Sequence, residues 1–270
     1  MDTTIVREAQ RVAVLAAREA GALLKKLFEK LDSSAFQHKD DSGDLVTEAD
    51  HQAEAIILGK IKQAFPGHQV ISEEAGDNRF ASDWLWLVDP LDGTNNFAVG
   101  MPLFAVSITL MYQREAVMAV IYEPLTDRLY EAVASGGFRC NGRIIRMGEP
   151  RPFKRATVGW IQGHKVQQEQ RAVRLRQHID ANTKRMMRLW APTLQWSMLA
   201  KGDLDAIILY NSEGEDLYSG MLMVREAGGI ITDYDGRPFT GMSREPYLIA
   251  CYPQHLPFFR GLVHNGLVGK

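Results

Sequence analysis

The chain has 270 residues, enough for one large layered unit or two modest ones. Hydrophobic residues make up 46% and charged residues 24%, so a sizeable core is available. The formal net charge of −2 leaves no basic surplus to neutralise a nucleic-acid backbone, which excludes nucleic acid as the expected main partner.

From residue 5 to 31, apolar side chains recur at helical spacing through Val12, Leu15, Ala16, Leu23, Leu24, Leu27 and Phe28, predicting a long amphipathic helix. Residues 37–44 are polar and contain Gly43, and so read as a loop. A second helix is predicted over 47–65, stopped by Pro66-Gly67. Residues 70–72 and 84–88 read as short buried strands, each running into acidic residues. The period then changes to two, predicting strands at 104–111, 116–122 and 128–133. Asn141-Gly142 signals a hairpin, since both residues tolerate positive φ. The run Gly148-Glu149-Pro150-Arg151-Pro152 is the expected boundary between an N-terminal α+β unit, 1–150, and a C-terminal α/β unit, 151–270. Beyond it, helices are predicted near 167–181, 194–201 and 218–227, with strands at 206–209 and 229–234. The basic stretch 184–188 reads as a solvated face.

Cys140 and Cys251 lie far apart and without metal-ligand spacing, so they read as reduced thiols. The opening Met1-Asp2-Thr3-Thr4 lacks a signal peptide's basic flank and apolar run, and no stretch approaches the ~20 apolar residues of a membrane span. A cytoplasmic location without a membrane partner is therefore expected.

Chemistry concentrates in Asp89-Pro90-Leu91-Asp92-Gly93-Thr94-Asn95-Asn96-Phe97. Pro90 disfavours the α region at Asp89, and Gly93 permits a tight turn before a short helix. The amides of Gly93, Thr94 and Asn95 would then offer free N–H groups to an anion. Two carboxylates beside an anion cradle are compatible only if hard cations lie between them, and Mg²⁺ is the usual choice. Alone, the Asp89/Asp92 pair reads better as a helix cap and a solvated strand end, and the neighbouring acids change that weighting. Glu73 and Glu74 follow the preceding strand and can share its sheet edge with Asp89. Asp50 belongs to a capping-box-like Thr47-Glu48-Ala49-Asp50 and can face the same place.

These blocks together resemble the inositol monophosphatase family: Asp44-Leu45-Val46-Thr47-x-x-Asp50, Glu73-Glu74, and Asp89 through Phe97. The likeness continues through Pro102-x-Phe104-x-Val106-Ser107-Ile108, Cys140-Asn141-Gly142 and Glu226-Ala227-Gly228-Gly229, covering essentially the whole chain in order. It implies an α/β fold, an αβαβα sandwich, and Mg²⁺-dependent, lithium-sensitive hydrolysis of a small phosphate monoester, with a homodimer as the expected assembly. Position by position, it implies that Glu73, Asp89 and the Leu91 carbonyl hold one metal ion and that Asp89 and Asp92 hold a second. About two or three Mg²⁺ per site are expected. Thr94 and Asp50 match the pair that, with Glu73, orients the attacking water; Gly93, Thr94 and Asn95 match the phosphate cradle. No Ser-His-Asp or Cys-His set is evident, so direct attack by water is preferred to a phosphoenzyme.

The chain departs from the family's pattern in two places. Asp216, at the start of the helix leading to Glu226, takes the last metal-binding position, with Glu215 where a tryptophan is usual. Glu213 is a second ligand candidate. Trp190-Ala191-Pro192 replaces small residues, and Leu209 stands where inositol phosphatases place an acidic residue. Trp190, Pro192 and Leu209 are therefore expected to make the alcohol-binding half more apolar and crowded, weakening any preference for inositol. Relatives acting on histidinol phosphate, bisphosphorylated nucleotides or NADP, and a non-catalytic regulatory relative, are the alternative readings.

Overall fold

The computed structural model describes residues 3–30, 36–38, 45–212, 214–244 and 246–269. Helix α1 (Thr3–Phe28) buries Ala9, Ala13, Ala16, Ala17 and Ala20, small side chains that let another element come close. At Gly21 a Cβ would sit 2.5 Å from the ring of Tyr122, so a glycine is required there. Residues 36–38 and 45–47 form an antiparallel pair, β1 (Phe36–His38) and β2 (Leu45–Thr47). Gln37 and His38 are therefore strand rather than loop, and the rest of the expected loop, 39–44, lies outside the described residues. Helix α2 (Glu48–Ala64) then runs to Phe65-Pro66-Gly67 and packs on α1.

An eight-stranded mixed sheet follows. Its strands are β3 (Gln69–Ser72), β4 (Gly76–Asp77), β5 (Trp84–Asp92), β6 (Ala105–Tyr112), β7 (Glu115–Glu123), β8 (Arg128–Val133), β9 (Gly137–Cys140) and β10 (Arg143–Ile145), in the order β10-β9-β8-β7-β6-β5-β3-β4. A short helix, α3 (Thr94–Ala98), follows β5. Strands β6 and β7 are buried almost without interruption, where an alternating pattern was expected. The reason is that helices cover both faces of the sheet: Val120 packs towards α1 and α2, while Ala119 and Ile121 pack towards the second half of the chain. Asn141 and Gly142, at φ 46° and 76°, make the two-residue turn between β9 and β10.

Residues 148–152 lie between β10 and the second sheet. That sheet contains β11 (Thr157–Gln162), β12 (Arg185–Met187), β13 (Ala206–Tyr210), β14 (Ile230–Asp233) and β15 (Tyr247–Cys251), in the order β12-β11-β13-β15-β14. The remaining helices are α4 (Gln170–Asn182), α5 (Pro192–Lys201), α6 (Leu217–Glu226) and α7 (Leu256–Val268). The basic stretch 184–188 contains the edge strand β12. Strands β11, β12 and β15 and helix α7 were not anticipated from the sequence.

Helices α5 and α6 are sandwiched between the two sheets, α1 and α2 cover the outer face of the first, and α4 and α7 cover the second. The layers are thus αβαβα, the expected α/β fold class. Both cysteines are free. Among the described residues no helix is long and apolar enough to cross a membrane.

Candidate active site

Parallel pairing of β3 with β5, Ser72 opposite Val88, ends the two strands side by side. The Glu73 amide donates to the Val88 carbonyl at 3.2 Å, which sets Glu73 next to Asp89. Glu54, one helical turn beyond Asp50 on α2, holds this corner. Its carboxylate accepts from the Ser72 hydroxyl and from the amides of Glu74 (3.1 Å) and Ala75 (2.9 Å).

Residues three apart on a regular strand face opposite ways. Asp89 pairs with Ser107 and Asp92 with Ala105, so β5 carries one extra residue in this step. Pro90, which has no N–H to give the ladder, lies in that bulge. The bulge turns Asp92 back to the side of Asp89, and both line one cavity of about 860 Å³.

Gly93 follows at φ +99°, where a Cβ would sit 2.7 Å from the Leu103 carbonyl oxygen. That residue is restricted to glycine by both backbone and space. The Thr94 hydroxyl, with one proton to give, lies 3.0 Å from the Leu91 carbonyl and 3.3 Å from Asp50 Oδ2. Asp50 is fully buried and Thr94 lines the cavity, so the hydroxyl bridges the two.

Asp92 Oδ2 accepts from the Thr193 amide at 2.8 Å and from the Thr193 hydroxyl. Thr193 is in the first turn of α5, directly after Pro192, whose missing N–H is no loss at that position. Asp92 therefore stabilises the start of α5 rather than capping α3. Asp216 precedes α6, and Ser219 of that helix donates to its carbonyl at 2.8 Å. Ser107 and Ser219 are hydrogen-bonded at 2.9 Å, linking β6 to α6 and fixing Asp216 relative to the first sheet.

Asp89 and Asp92 are almost completely buried. Burial pushes the Asp89 carboxyl well above the usual range, and Glu73, Asp92, Asp216 and Asp50 push it further. Burial and Asp216 do the same to Asp92, against the downward pull of Thr193. Asp216 is pushed up to about 7 by burial, Glu215 and Glu73. No basic side chain figures among these main influences. Among the described residues, no three His, Cys, Asp or Glu side chains yet converge as ligands of a single ion. The set is nevertheless a group of hard oxygen donors, which suits a divalent cation such as Mg²⁺.

Of the residues expected at the site, Glu73, Asp89, Leu91, Asp92 and Asp216 line the cavity. So do Gly93, Thr94 and Asn95, and so do Trp190 and Pro192. Asp50 stands behind Thr94. Glu213 lies outside the described residues, while Glu215 lines the cavity.

Leu209 requires correction. It is buried in the core between the sheets, contacts the pocket nowhere, and offers only its carbonyl, to the Tyr234 hydroxyl at 2.9 Å. Strand alternation sends it inward, so it cannot shape the alcohol half. Trp190 does not fill that half either: it is 55% exposed at the rim, at φ +53°. The segment before it is anchored by Asn96, whose Nδ2 donates to the Leu189 (2.6 Å) and Leu103 (2.7 Å) carbonyls. The cavity lining also includes Gln162, His164, Lys165, Asn211 and Arg244. Sequence reasoning missed these residues and Thr193: Gln162, His164 and Lys165 depend on β11, a strand it did not anticipate, while Thr193, Asn211 and Arg244 come from segments far apart in the chain.

The model of the inositol monophosphatase family matches residues 6–259, and the chain belongs to that family. An inositol-1-monophosphatase from Mesorhizobium japonicum is 36% identical over 228 residues, covering 83% of this chain and 85% of the relative. The Nus factor SuhB of Pseudomonas aeruginosa is 32% identical over 231 residues, again covering 83% and 85%. Among solved structures, the extragenic suppressor protein suhB of Bartonella henselae superimposes with a TM-score of 0.88 at 29% identity, over 96% of this chain and 99% of that one. The inositol monophosphatase of Anabaena gives 0.84 at 26% identity, over 96% of each chain.

Proposed function

We propose that the chain hydrolyses a phosphate monoester of a small soluble metabolite, with water as the nucleophile. The observation that carries this reading is the gathering of Glu73, Asp89, Asp92 and Asp216, from both halves of the chain, on one cavity beside Thr94. Glu73, Asp89, Asp92, Asp216 and the Leu91 carbonyl are the groups that would hold Mg²⁺. Bound there, Mg²⁺ would neutralise phosphoryl charge and lower the pKa of a water molecule. Thr94 orients the attacking water: its oxygen can accept one water proton while its own proton goes to Asp50, 3.3 Å away. Glu73 accepts the other. Buried Asp50 keeps the hydroxyl turned one way, as a positioned base must. Gly93, with no side chain, lets the phosphate approach the backbone of the 93–95 turn.

Membership of the inositol monophosphatase family and the Mesorhizobium relative support the reaction class. The relatives described as Nus factor SuhB favour a second reading, in which the fold serves as a binding component. The complete acidic set beside Thr94 weighs for catalysis, since a binding role does not need it. The test is phosphate release from a panel of esters with Mg²⁺ and with excess EDTA. Metal-dependent release supports hydrolysis; equal release in EDTA, or none from any ester, would count against it.

A further inference from the structure

The two halves of the chain meet along the acidic motif itself. Residues 189–193 of the second half run antiparallel to residues 92–96 of the first and touch them in order. Asn96 Nδ2 donates to the Leu189 carbonyl at 2.6 Å. A Cβ at Gly93 would lie 3.3 Å from that of Ala191, so the two backbones pass close together there. Thr193 donates to Asp92 Oδ2 from its amide, at 2.8 Å, and from its hydroxyl. Asn96, Ala191 and Thr193 are all fully buried. Asn96 also donates to the Leu103 carbonyl at 2.7 Å, so a single amide ties segment 189–193 to the chain beyond α3.

Asp92 lines the cavity, and Thr193 stands behind it without reaching the lining. Both of its donors fall on the same carboxylate oxygen. Among the described residues no hydrogen bond reaches the other, Oδ1. Rotating the carboxylate to exchange its oxygens would break two hydrogen bonds in a buried place. Asp92 is thereby held in one orientation, with Oδ2 engaged and Oδ1 left over. A ligand fixed in this way gives up little freedom when a cation arrives, and partners behind a metal ligand act through that orientation.

Resting on the Mg²⁺ reading of the site above, we propose that Thr193 is a positioning residue for the metal. Its hydroxyl fixes Asp92 for cation binding, and Asn96 holds the segment that carries it. The second half of the chain then serves the metal site twice, with Asp216 as a ligand and with Thr193 behind a ligand of the first half.

The hydroxyl can be removed with little change of shape. Thr193→Val keeps the amide bond to Asp92 and loses only the O–H donor, while Thr193→Ser keeps that donor. Each apo protein is titrated calorimetrically with Mg²⁺, and thermal unfolding in EDTA checks that it folds. Thr193→Ala takes the place of the valine variant if valine is not accepted beside the carboxylate. Thr193→Val should raise the Kd for Mg²⁺ about tenfold or more, and Thr193→Ser should stay within about threefold of the parent. The Mg²⁺ concentration for half-maximal phosphate release should rise in step with Kd. Asn96→Ala should weaken Mg²⁺ by a smaller factor, about threefold, because both donors of Thr193 remain. A folded Thr193→Val protein that binds Mg²⁺ as the parent does would overturn the inference. So would a serine variant as weak as the valine one, since Thr193 would then act by packing alone. Unchanged affinity in Asn96→Ala would overturn the part assigned to Asn96. No Mg²⁺ binding by the parent would defeat the metal reading and this inference with it, and phosphate release in excess EDTA would show whether hydrolysis survives.

Discussion

At its acidic end the cavity is walled by regular, hydrogen-bonded backbone: the parallel ends of β3 and β5, the bulge at Pro90, and the first turns of α5 and α6. The rest of its lining includes 162–166, Trp190, Met242 and Arg244, and there Lys165, Trp190 and Arg244 are exposed. Groups that must hold a charge in one place are buried and tied to the core. Groups that would choose the alcohol sit where substitution costs the fold little. Changes among the buried acids should therefore alter the chemistry, and changes in the exposed lining the choice of substrate.

The largest effect is expected from Asp92→Asn. Turnover should be lost to the limit of detection, while thermal unfolding shows an apo protein no less stable than the parent, because a buried repulsive charge has been removed. Activity near the parent's would break the comparison. Thr94→Ala should come next, lowering kcat by on the order of 10²–10⁴ with KM little changed. A change confined to KM would move Thr94 from water activation to binding.

Glu54→Ala should lower stability by about 1–3 kcal/mol, since the Ser72 hydroxyl and two amides lose their acceptor. It should also lower kcat about tenfold through Glu73. Glu54→Gln, which restores an acceptor oxygen, should recover most of both. A stability loss without any change in kcat would confine Glu54 to the fold.

The smallest effect concerns pH in the absence of metal. Asp216 is raised to about 7 in the folded protein, so the native state holds a proton that the unfolded chain releases. Stability from this group is then full below about pH 4 and is lost as pH rises towards about 7. Asp89 and Asp92, also raised, act in the same direction. Unfolding midpoints measured from pH 5 to 7.5 should fall more steeply in EDTA than in Mg²⁺. Parallel curves would mean that the carboxylates are not where the metal acts.

Much of the acidic end was legible in the sequence because it is local. Asp89, Asp92, Gly93 and Thr94 fall within one short run, and Pro90 and Gly93 have strong backbone preferences. The direction of Asp92 was less so, since it needs a bulge in β5 and a partner, Thr193, a hundred residues later. Leu209 shows the opposite failure: its place in the family pattern suggested the pocket, but its strand sends it into the core. The exposed part of the lining was not legible. Gln162 ends β11, which was not recognised, Lys165 follows it, and Arg244 arrives from beyond β14. Isolated residues on solvated segments carry no periodicity, so only the tertiary arrangement shows that they line one cavity.

The central claim is that the buried carboxylates await a divalent cation. Calorimetric titration of the apo protein with Mg²⁺ near pH 6.5, repeated in two buffers of different ionisation enthalpy, tests it most directly. Saturable binding is expected, with proton release, as carboxyls whose pKa is raised give up protons to bind metal, and with binding lost or strongly weakened in Asp92→Asn. No binding at millimolar Mg²⁺, or binding that Asp92→Asn leaves untouched, would contradict the account.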